Sequence, residues 1–565
     1  MTCVWQGCLV NIDDVSGHEA ESVPVLVVGG SLVGLSTSVF LGRLGIEHML
    51  VERHARTSTH PRGRGNNVRT MEIYRTAGLE SRIRDAASVL AGNDGILQVD
   101  TLTGRQRRWI VGDISGGMDV SRVSSSDWCL CSQNDLEPVL LEYAREQGSD
   151  IRFNSELLSF TEHGDGVRAR IKNRDSGETY TVNADYLVAA DGPRSPIRSH
   201  LGIGQSGPGE LFHNVSVTFR SRTLKNHVGE KRFVVCYVTD PRGEGALLPV
   251  DNEERWVIHV PWYPDRREEL TDFTDERLAA HIRAAVGVPG IDVEITGRAP
   301  WHASKRVADA YGAGRVFLAG DSAHEMPPTG AFGSNTGIQD AHNLAWKLAA
   351  VLRGWAGPSL LDSYELERRP VALATGTRAC VQAADEEHPG FSPAAGRNND
   401  PADLMTVALC YRYASHAVVG APPERPIVPD AFHLGGEPGS RAPHMWVMRG
   451  DLRISTLDLY ERSFVLLAGS GGQKWRTAVE RASRNLGVPV EAYLVGTGPD
   501  HDLAPDTDAD WAELHGTAED GAVLVRPDGF VAWRADAAMP DADRVLTNVL
   551  QSVLCRDRAP LEAPR

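Results

Sequence analysis

The chain reads as an α/β protein: strand-turn-helix segments, an antiparallel β stretch among them, and a separate C-terminal α/β unit. Three observations predict this. Short apolar runs at 25–28, 186–190 and 316–319 each end in a Gly- or Asp-containing turn that leads toward a helical pattern, as strands of one parallel sheet do. Between 205 and 300 the texture changes to alternating, β-rich segments. A stretch rich in Pro, Gly, Asn and Asp at 386–401 precedes a fresh strand and helix pattern.

The first element is Val25-Leu26-Val27-Val28, followed by Gly29-Gly30-Ser31-Leu32-Val33-Gly34 and then helical apolar spacing from Leu35 to Leu44. That strand, turn and helix order suits a pyrophosphate held by backbone N–H groups at a helix N-terminus. Ser31 stands where a GxGxxG motif has its middle glycine, and its small side chain still permits close approach. Glu52 closes the next strand, Met49 to Val51, at the distance along the chain where an acid meets a ribose hydroxyl pair. A literal GxGxxG occurs at 202–207, but it follows Arg198-Ser199-His200-Leu201 and runs into Pro208-Gly209, so it reads as a loop without a nucleotide role.

Tyr186 to Ala190 is a buried-strand run ending in Asp191-Gly192, with Ser195 and Arg198 completing D-G-x-x-S-x-x-R. A turn stabilised by Asp is the default for Asp-Gly alone, and the full pattern is more specific. Further on, Asn214 to Phe219, Arg232 to Val238, Ala246 to Val250 and Arg255 to Pro261 read as strands of an antiparallel sheet able to roof a pocket.

The most informative stretch is 320–335. An apolar strand, Val316 to Ala319, ends at Gly320-Asp321; a Pro- and Gly-rich loop follows, and a helix from Thr336 is expected to start at an Asn335 cap. Asp321 can accept from a polyol, Gly330 and Gly333 let backbone approach a flat ring, and Pro327-Pro328 stiffens the loop. Free N–H groups at the helix start would stabilise an anionic ring edge. This chemistry points to a flavin.

These segments in this order resemble the class A flavoprotein monooxygenases of the para-hydroxybenzoate hydroxylase fold, over about Pro24 to Ala384. The resemblance implies FAD bound by a Rossmann-like domain of the GR2 type, with Gly29, Ser31, Leu32, Val33 and Gly34 at the pyrophosphate and Glu52 at the adenosine ribose. Arg53 and Arg62 match family arginines near the adenosine and phosphates, and Gln133 matches a family residue beside the flavin. Asp321 is expected at the ribityl chain, and Pro328, Gly330, Gly333, Asn335 and Thr336 at the ring. Asp191, Gly192 and Arg198 are expected to serve transient NADPH or NADH, with Asp191 also serving FAD.

The run from Thr329 to Leu348 is similar to the aromatic polyketide hydroxylases, the tetracenomycin and anthracycline hydroxylases among them. That similarity implies hydroxylation of a polycyclic aromatic polyketide in antibiotic biosynthesis, with dioxygen as co-substrate and a flavin C4a-hydroperoxide as oxidant. Phe233, Tyr237 and Trp256 are candidates for lining the polycycle. No catalytic base is assigned: Pro328, Gly330 and His324 are flavin-loop candidates, and His324 fits a structural hydrogen bond equally well. Baeyer–Villiger insertion at a ketone is the leading alternative, and an FAD- or drug-binding protein without turnover is a third reading. The Trp-x-Trp-x-Ile-Pro signature of flavin halogenases is absent.

The family carries a C-terminal thioredoxin-like domain, and Phe464 to Ala468, Trp475 to Asn485, Ala522 to Val525 and the Asp528-Gly529 hairpin signal supply a matching pattern. No Cys-x-x-Cys occurs, so thiol redox activity is not expected there. The expected division is a mobile tail at 1–22, an FAD domain at 23–204 and 301–385, a substrate domain at 205–300, a linker at 386–405 and the C-terminal domain at 406–565. A net charge of −17 argues against a nucleic-acid surface. Eight scattered cysteines fit a reduced, cytoplasmic setting with no metal site. No apolar run approaches membrane length. Monomer and homodimer are both compatible with the sequence.

Overall fold

A computed structural model describes residues 20–105, 107–113, 118–385 and 404–556. Its first layer is built from β1 (Glu21–Val28), α1 (Leu32–Arg43), β2 (His48–Val51), α2 (Val68–Thr76), α3 (Gln133–Glu146) and β3 (Thr179–Ala189). Strand β3 lies parallel to β1, and β1 parallel to β2, with Asp150–Arg152 continuing the sheet beyond β2. The β-branched residues Val25, Val27 and Val188 are fully buried, the expected state of a strand covered on both faces.

The second sheet contains β4 (Gln205–Arg220), β5 (Phe233–Val238), β6 (Gly245–Pro249), β7 (Arg255–Trp262) and, after helix α4 (Asp275–Val286), β8 (Glu294–Ala308). Its order is β8-β4-β7-β6-β5, continued by Gly95–Val99 and Arg107–Val111. One face packs on α4 through Val217, Phe219, Trp256, Ile258, Leu278 and Ile282. Strand β9 (Val316–Leu318) then pairs parallel with β3, and α5 (Phe332–Leu352) and α6 (Asp362–Asp385) complete the first layer.

In the C-terminal part, β10 (Phe464–Ala468), α7 (Gln473–Leu486), β11 (Val490–Leu494), β12 (Ala522–Val525), β13 (Val531–Ala535) and α8 (Ala542–Val553) form a sheet ordered β11-β10-β12-β13 with packed helices. Strands β10 and β11 are parallel, and β12 and β13 form the antiparallel hairpin read from Asp528-Gly529. Its core is continuous with the first layer: Trp346 of α5 meets Phe464 edge-on at 5.9 Å between ring centroids.

Several sequence expectations shift. Glu21 and Ser22, placed in the tail, already pair with Val182 and Asn183 in the sheet; 1–19 lie outside the described residues. The expected linker falls at 386–403 outside the described residues, and Leu404 and Met405 open a short helix, Leu404–Leu409. Gly95–Val99 and Arg107–Val111 belong by sequence to the first domain but hydrogen-bond into the second sheet, a non-local pairing that local patterning does not reveal. Strand β8 crosses the boundary drawn at 300. The literal GxGxxG is not a plain loop: Gln205 to Gly207 opens β4, where register shifts against β8 accommodate Gly207 and Gly209. Among the described residues, no helix is long and apolar enough to cross a membrane.

Candidate functional site

The glycine turn after β1 is a tight cradle. Gly29 has φ 110°, and its N–H donates to Val51 O at 2.9 Å. A Cβ on Gly29 would collide with Ala190 O, and one on Gly34 would collide with Gly29 O, so the turn, the end of β3 and α1 close on one another only without side chains. Helix α1 starts at Leu32 with no side-chain cap on Ser31 and no acid in its first turn. Its free N–H groups and partial positive charge are left for a ligand anion.

Glu52 is pinned at the end of β2. Gly30 N donates to its Oε2 at 2.6 Å, and His54 N lies 2.8 Å from Oε1. A Cβ on Gly30 would come within 2.7 Å of Glu52 Cβ. Beside it, Gln133 Nε2 donates to Ser31 Oγ at 2.9 Å and to Glu137 Oε1 at 2.6 Å, and Glu137 Oε2 accepts from Ser58 N at 2.7 Å. Glu137 thus ties the start of α3 to the glycine turn and to the loop after β2. Sequence reasoning missed it; an acid one turn into an amphipathic helix gives little local signal.

The second half of the site comes from 320–337. Gly320 has φ 63°, and Cβ atoms on Gly320 or Gly337 would meet Val33 Cγ2 at 2.6 and 2.7 Å. Val33 is therefore the wedge that sets the start of α1 against the loop after β9 and the first turns of α5. Asp321 is solvent-accessible but closely surrounded, and this partial desolvation pushes its carboxyl above the usual range, with His324 and Arg62 pulling it back. An acid both accessible and crowded lines a cleft. The charge of Arg62 thus reaches the Asp321 carboxyl, whereas Arg53 is exposed, with its carbonyl accepting from Arg174.

The helix after the loop starts earlier than expected. Gly330 (φ 75°) and Ala331 (φ 53°) turn the chain left-handed, and α5 begins at Phe332 without a side-chain cap or an acid in its first turn. Asn335 is inside the helix. Its Oδ1 accepts from Asn67 N at 2.9 Å and its Nδ2 donates to Gly65 O at 2.8 Å, so it fastens α5 to the entry of α2 instead of capping. Pro328 is exposed, Gly333 has open space around a would-be Cβ, and Thr336 is buried with its carbonyl taken by Arg368. Two uncapped helix N-termini, α1 and α5, thus lie together around Val33.

Asp191 leans over the same junction. Its Oδ2 accepts from Ile197 N at 3.2 Å, its Oδ1 is buried without a partner among the described residues, and burial raises its pKa. Gly192 has φ 84° with nothing near a would-be Cβ. Arg198, expected at the nicotinamide cofactor, is instead turned inward: it donates to Ser322 O at 2.7 Å and to Pro193 O at 2.8 Å, clamping two strand-end loops together.

His324, a flavin-loop candidate, is fully buried, with Nε2 2.7 Å from Asp340 Oδ2, and Asp340 Oδ1 accepts from Arg368 Nε at 2.7 Å. Arg368 and His324 hold the Asp340 carboxyl below its ordinary range. Asp340 also accepts from Gly320 N at 3.2 Å, so the network braces the loop from behind. Asp340 and Arg368 went unread in the sequence: Gly337 to Leu348 also carries Gln339, His342, Asn343 and Lys347, so one acid among them gives no local signal.

The substrate candidates divide by face. Trp256 and Phe233 are buried in the core against α4, so they are packing residues; strand alternation sends Trp256 away from the site, and an irregularity of β5 between Phe233 and Val235 turns Phe233 to the same side. Tyr237 is on the other face. It pairs with Ala246, which pairs with His259, which pairs with Ser216, and Ser216 Oγ lies 3.0 Å from His60 Nε2 in the segment leading to Arg62. That face looks onto the cleft.

The fit to a flavin dinucleotide rests on the Cβ-intolerant turn, the paired uncapped helices and the acceptors Glu52, Asp191 and Asp321. A family model described as FAD binding domain matches residues 22–379, and one described as aromatic-ring hydroxylase, C-terminal, matches 436–556. A Streptomyces halstedii protein classed as a polyketide hydroxylase is 62% identical over 96% of this chain and 99% of its own length. The tetracenomycin A2 monooxygenase-dioxygenase of Streptomyces glaucescens is 41% identical over 95% of this chain and 97% of its own. The crystal structure of aklavinone-11 hydroxylase with FAD and aklavinone superposes with a TM-score of 0.83 at 37% identity, covering 95% of this chain and 100% of the other.

Proposed function

The chain belongs to the FAD-dependent aromatic-ring hydroxylases and is a flavin monooxygenase, and on that premise we propose that it hydroxylates a polycyclic aromatic polyketide, using NADPH or NADH and dioxygen. The observation that carries this reading is the cleft itself: two uncapped helix N-termini meet around Val33, and one face of the second sheet looks onto them. The relative classed as a polyketide hydroxylase supports the substrate class, and the solved neighbour holds aklavinone beside FAD.

FAD, when bound, supplies the redox chemistry that activates dioxygen for transfer to an electron-rich ring carbon. The chain supplies the rest. Backbone N–H groups of Ser31 to Gly34 would hold the pyrophosphate, Glu52 the adenosine ribose, and Asp321 the ribityl chain. The start of α5 offers N–H groups to the anionic edge of the ring, and Gly330 with Gly333 keeps that approach open. Arg62 and Gln133 complete the rim, and Asp191 adds its free oxygen at the junction. Tyr237 faces the ring of the substrate, and the second sheet excludes water from above.

The C-terminal unit is read as thioredoxin-like, on the strength of its sheet order and the parallel pair flanked by α7 and α8. Its role here is structural, since Phe464, Arg526 and Asp528 pack and bond to the helices behind the flavin loop.

The test is direct. Purified protein is expected to be yellow, to release FAD on denaturation, and to oxidise NADPH faster when a polycyclic phenol is present. Product NMR should place a new hydroxyl on a ring carbon; oxygen inserted beside a carbonyl would overturn hydroxylation in favour of Baeyer–Villiger chemistry.

A further inference from the structure

The face of the second sheet that looks onto the cleft holds a polar group with no structural employment. Asn214 is 1% exposed, and neither its Oδ1 nor its Nδ2 has a hydrogen-bond partner among the described residues. Buried amides are ordinarily satisfied, and an unpaired one is costly enough that its persistence asks for a ligand. Strand register fixes where it sits. Asn214 lies between Trp301 of β8 and Pro261 of β7, one pleat from Ser216, whose hydroxyl meets His60.

The surroundings have the shape of a slot for a flat ring. Trp301 is flanked by His259, with ring centroids 5.5 Å apart, and by Phe212 at 5.8 Å. The next row across the sheet runs Ala299, Ser216, His259, Ala246, so it is low at Ala299 and Ser216 and rises at His259, which belongs to that wall. An aromatic wall over a floor of small residues, with one unpaired amide in it, binds a planar polycycle by stacking and orients it by hydrogen bonding.

We propose that Asn214 is a substrate-orienting residue, whose amide pairs with a phenol hydroxyl and an adjacent ring carbonyl on the polycycle. A primary amide offers an acceptor and a donor side by side. A hydroxyl one ring position beyond the peri carbon presents the complementary pair, because a peri hydroxyl already spends its proton on the carbonyl within the molecule. Which ring carbon meets the flavin would then follow from this contact, because a slot that only stacks leaves the polycycle free to turn in its plane. The inference rests on the polycyclic phenol reading given above.

The experiment is equilibrium dialysis of the oxidised, FAD-loaded enzyme against 2,6-dihydroxyanthraquinone, whose hydroxyls are free of internal hydrogen bonds, and its 2,6-dimethoxy ether, without reductant so that nothing turns over. The wild type is expected to prefer the dihydroxy probe by about tenfold or more, the effect of one or two hydrogen bonds to a buried group. N214A and N214L should lose that preference while keeping FAD content. Thermal midpoints separate this from a packing role: N214L should melt no lower than wild type, because replacing an unsatisfied amide by an apolar group of similar volume is neutral or stabilising. Variants that keep the wild-type preference would overturn the assignment while leaving the hydroxylase reading intact. Variants that lose FAD and melt several degrees lower would make Asn214 a structural residue, which also overturns it. A wild type that binds neither probe would defeat the polycyclic phenol reading together with it.

Discussion

Arg526 and Glu367 are both fully buried and share two hydrogen bonds, of 2.6 and 2.9 Å, across 159 positions of sequence. The same carboxylate accepts from Lys347 Nζ at 2.8 Å and Asn343 Nδ2 at 2.8 Å, both on α5. Arg526 lies in the turn between β12 and β13, so the C-terminal unit reaches the helix that starts at the flavin loop through a sealed cluster of charges. A second cluster does the same for α2: Glu72 accepts from Arg441 Nε at 2.9 Å, Arg69 at 3.0 Å and Ser124 at 2.6 Å.

Removing Glu367 should therefore be severe. Glu367→Ala leaves Lys347 buried without its counter-charge and Arg526 with Asp528 alone, although burial has already lowered the Lys347 pKa to about 8 and lets that group release its proton. Breaking one side of such a pair costs about 3–5 kcal/mol. Thermal and urea unfolding of the FAD-loaded full chain should show it as a large fall in midpoint; a midpoint within a degree of wild type would contradict this account.

Two glycine substitutions should behave in opposite ways. Gly34→Ala places a methyl group against the carbonyl of Gly29, a backbone atom that cannot swing aside, so the protein should purify without FAD and resist reconstitution. At Gly192 no atom lies near a would-be Cβ, and only the φ of 84° is strained. Gly192→Ala should cost about 1–2 kcal/mol and stay yellow. Flavin released per mole of protein decides both.

Much of this arrangement was legible in the chain. Val25 to Val28 with its glycine turn, Tyr186 to Gly192 and Val316 to Asp321 carry strong local signals because buried parallel strands are continuously apolar and their ends need glycine or an acid. Phe464 to Ala468 and Ala522 to Val525 match the observed strands residue for residue. What failed depends on tertiary partners. Asn335 has the chemistry of a cap, yet Gly65 and Asn67, some 270 positions away, claim it. Arg198 has the chemistry of a phosphate ligand, yet two nearby carbonyls claim it. Phe233 and Trp256 needed the sheet register before their face was known, although the alternation Trp256, Ile258, Val260 against Val257, His259, Pro261 already hinted at it.

That difference in face gives a paired prediction. Trp256→Ala empties a large volume in the core against α4 and should cost about 3–5 kcal/mol, with KM for an aromatic substrate little changed in the surviving folded enzyme. Tyr237→Ala removes a ring from the cleft-facing row and should raise KM at a smaller cost in stability. Steady-state kinetics beside thermal midpoints would separate the two, and a Trp256 variant whose principal defect is KM would put that side chain back in the site.

The stability of the enzyme should fall on the acid side of neutrality, and two histidines in the C-terminal unit say where. His444 is 4% exposed, with Nδ1 2.7 Å from Ser455 Oγ, and burial with the nearby Arg441 lowers its pKa to about 4. His515 is fully buried, stacked on Trp511 at 4.8 Å, and burial with the nearby Arg534 lowers it to about 4 as well. Both are neutral in the folded state at pH values where an unfolded histidine, with a pKa of about 6.5, takes a proton. Between pH 6.5 and 4 the unfolded chain thus binds more protons, so stability present above pH 6.5 is lost as the pH falls through that window. Each shift corresponds to about 3 kcal/mol at its full extent. Thermal midpoints of the FAD-loaded protein should hold nearly level from pH 8 to 7 and drop steeply by pH 5, and His515→Gln, which cannot take up the proton, should flatten part of that drop. A midpoint that is unchanged between pH 7 and 5 would mean that these rings already carry a proton or find an acid partner in the fold.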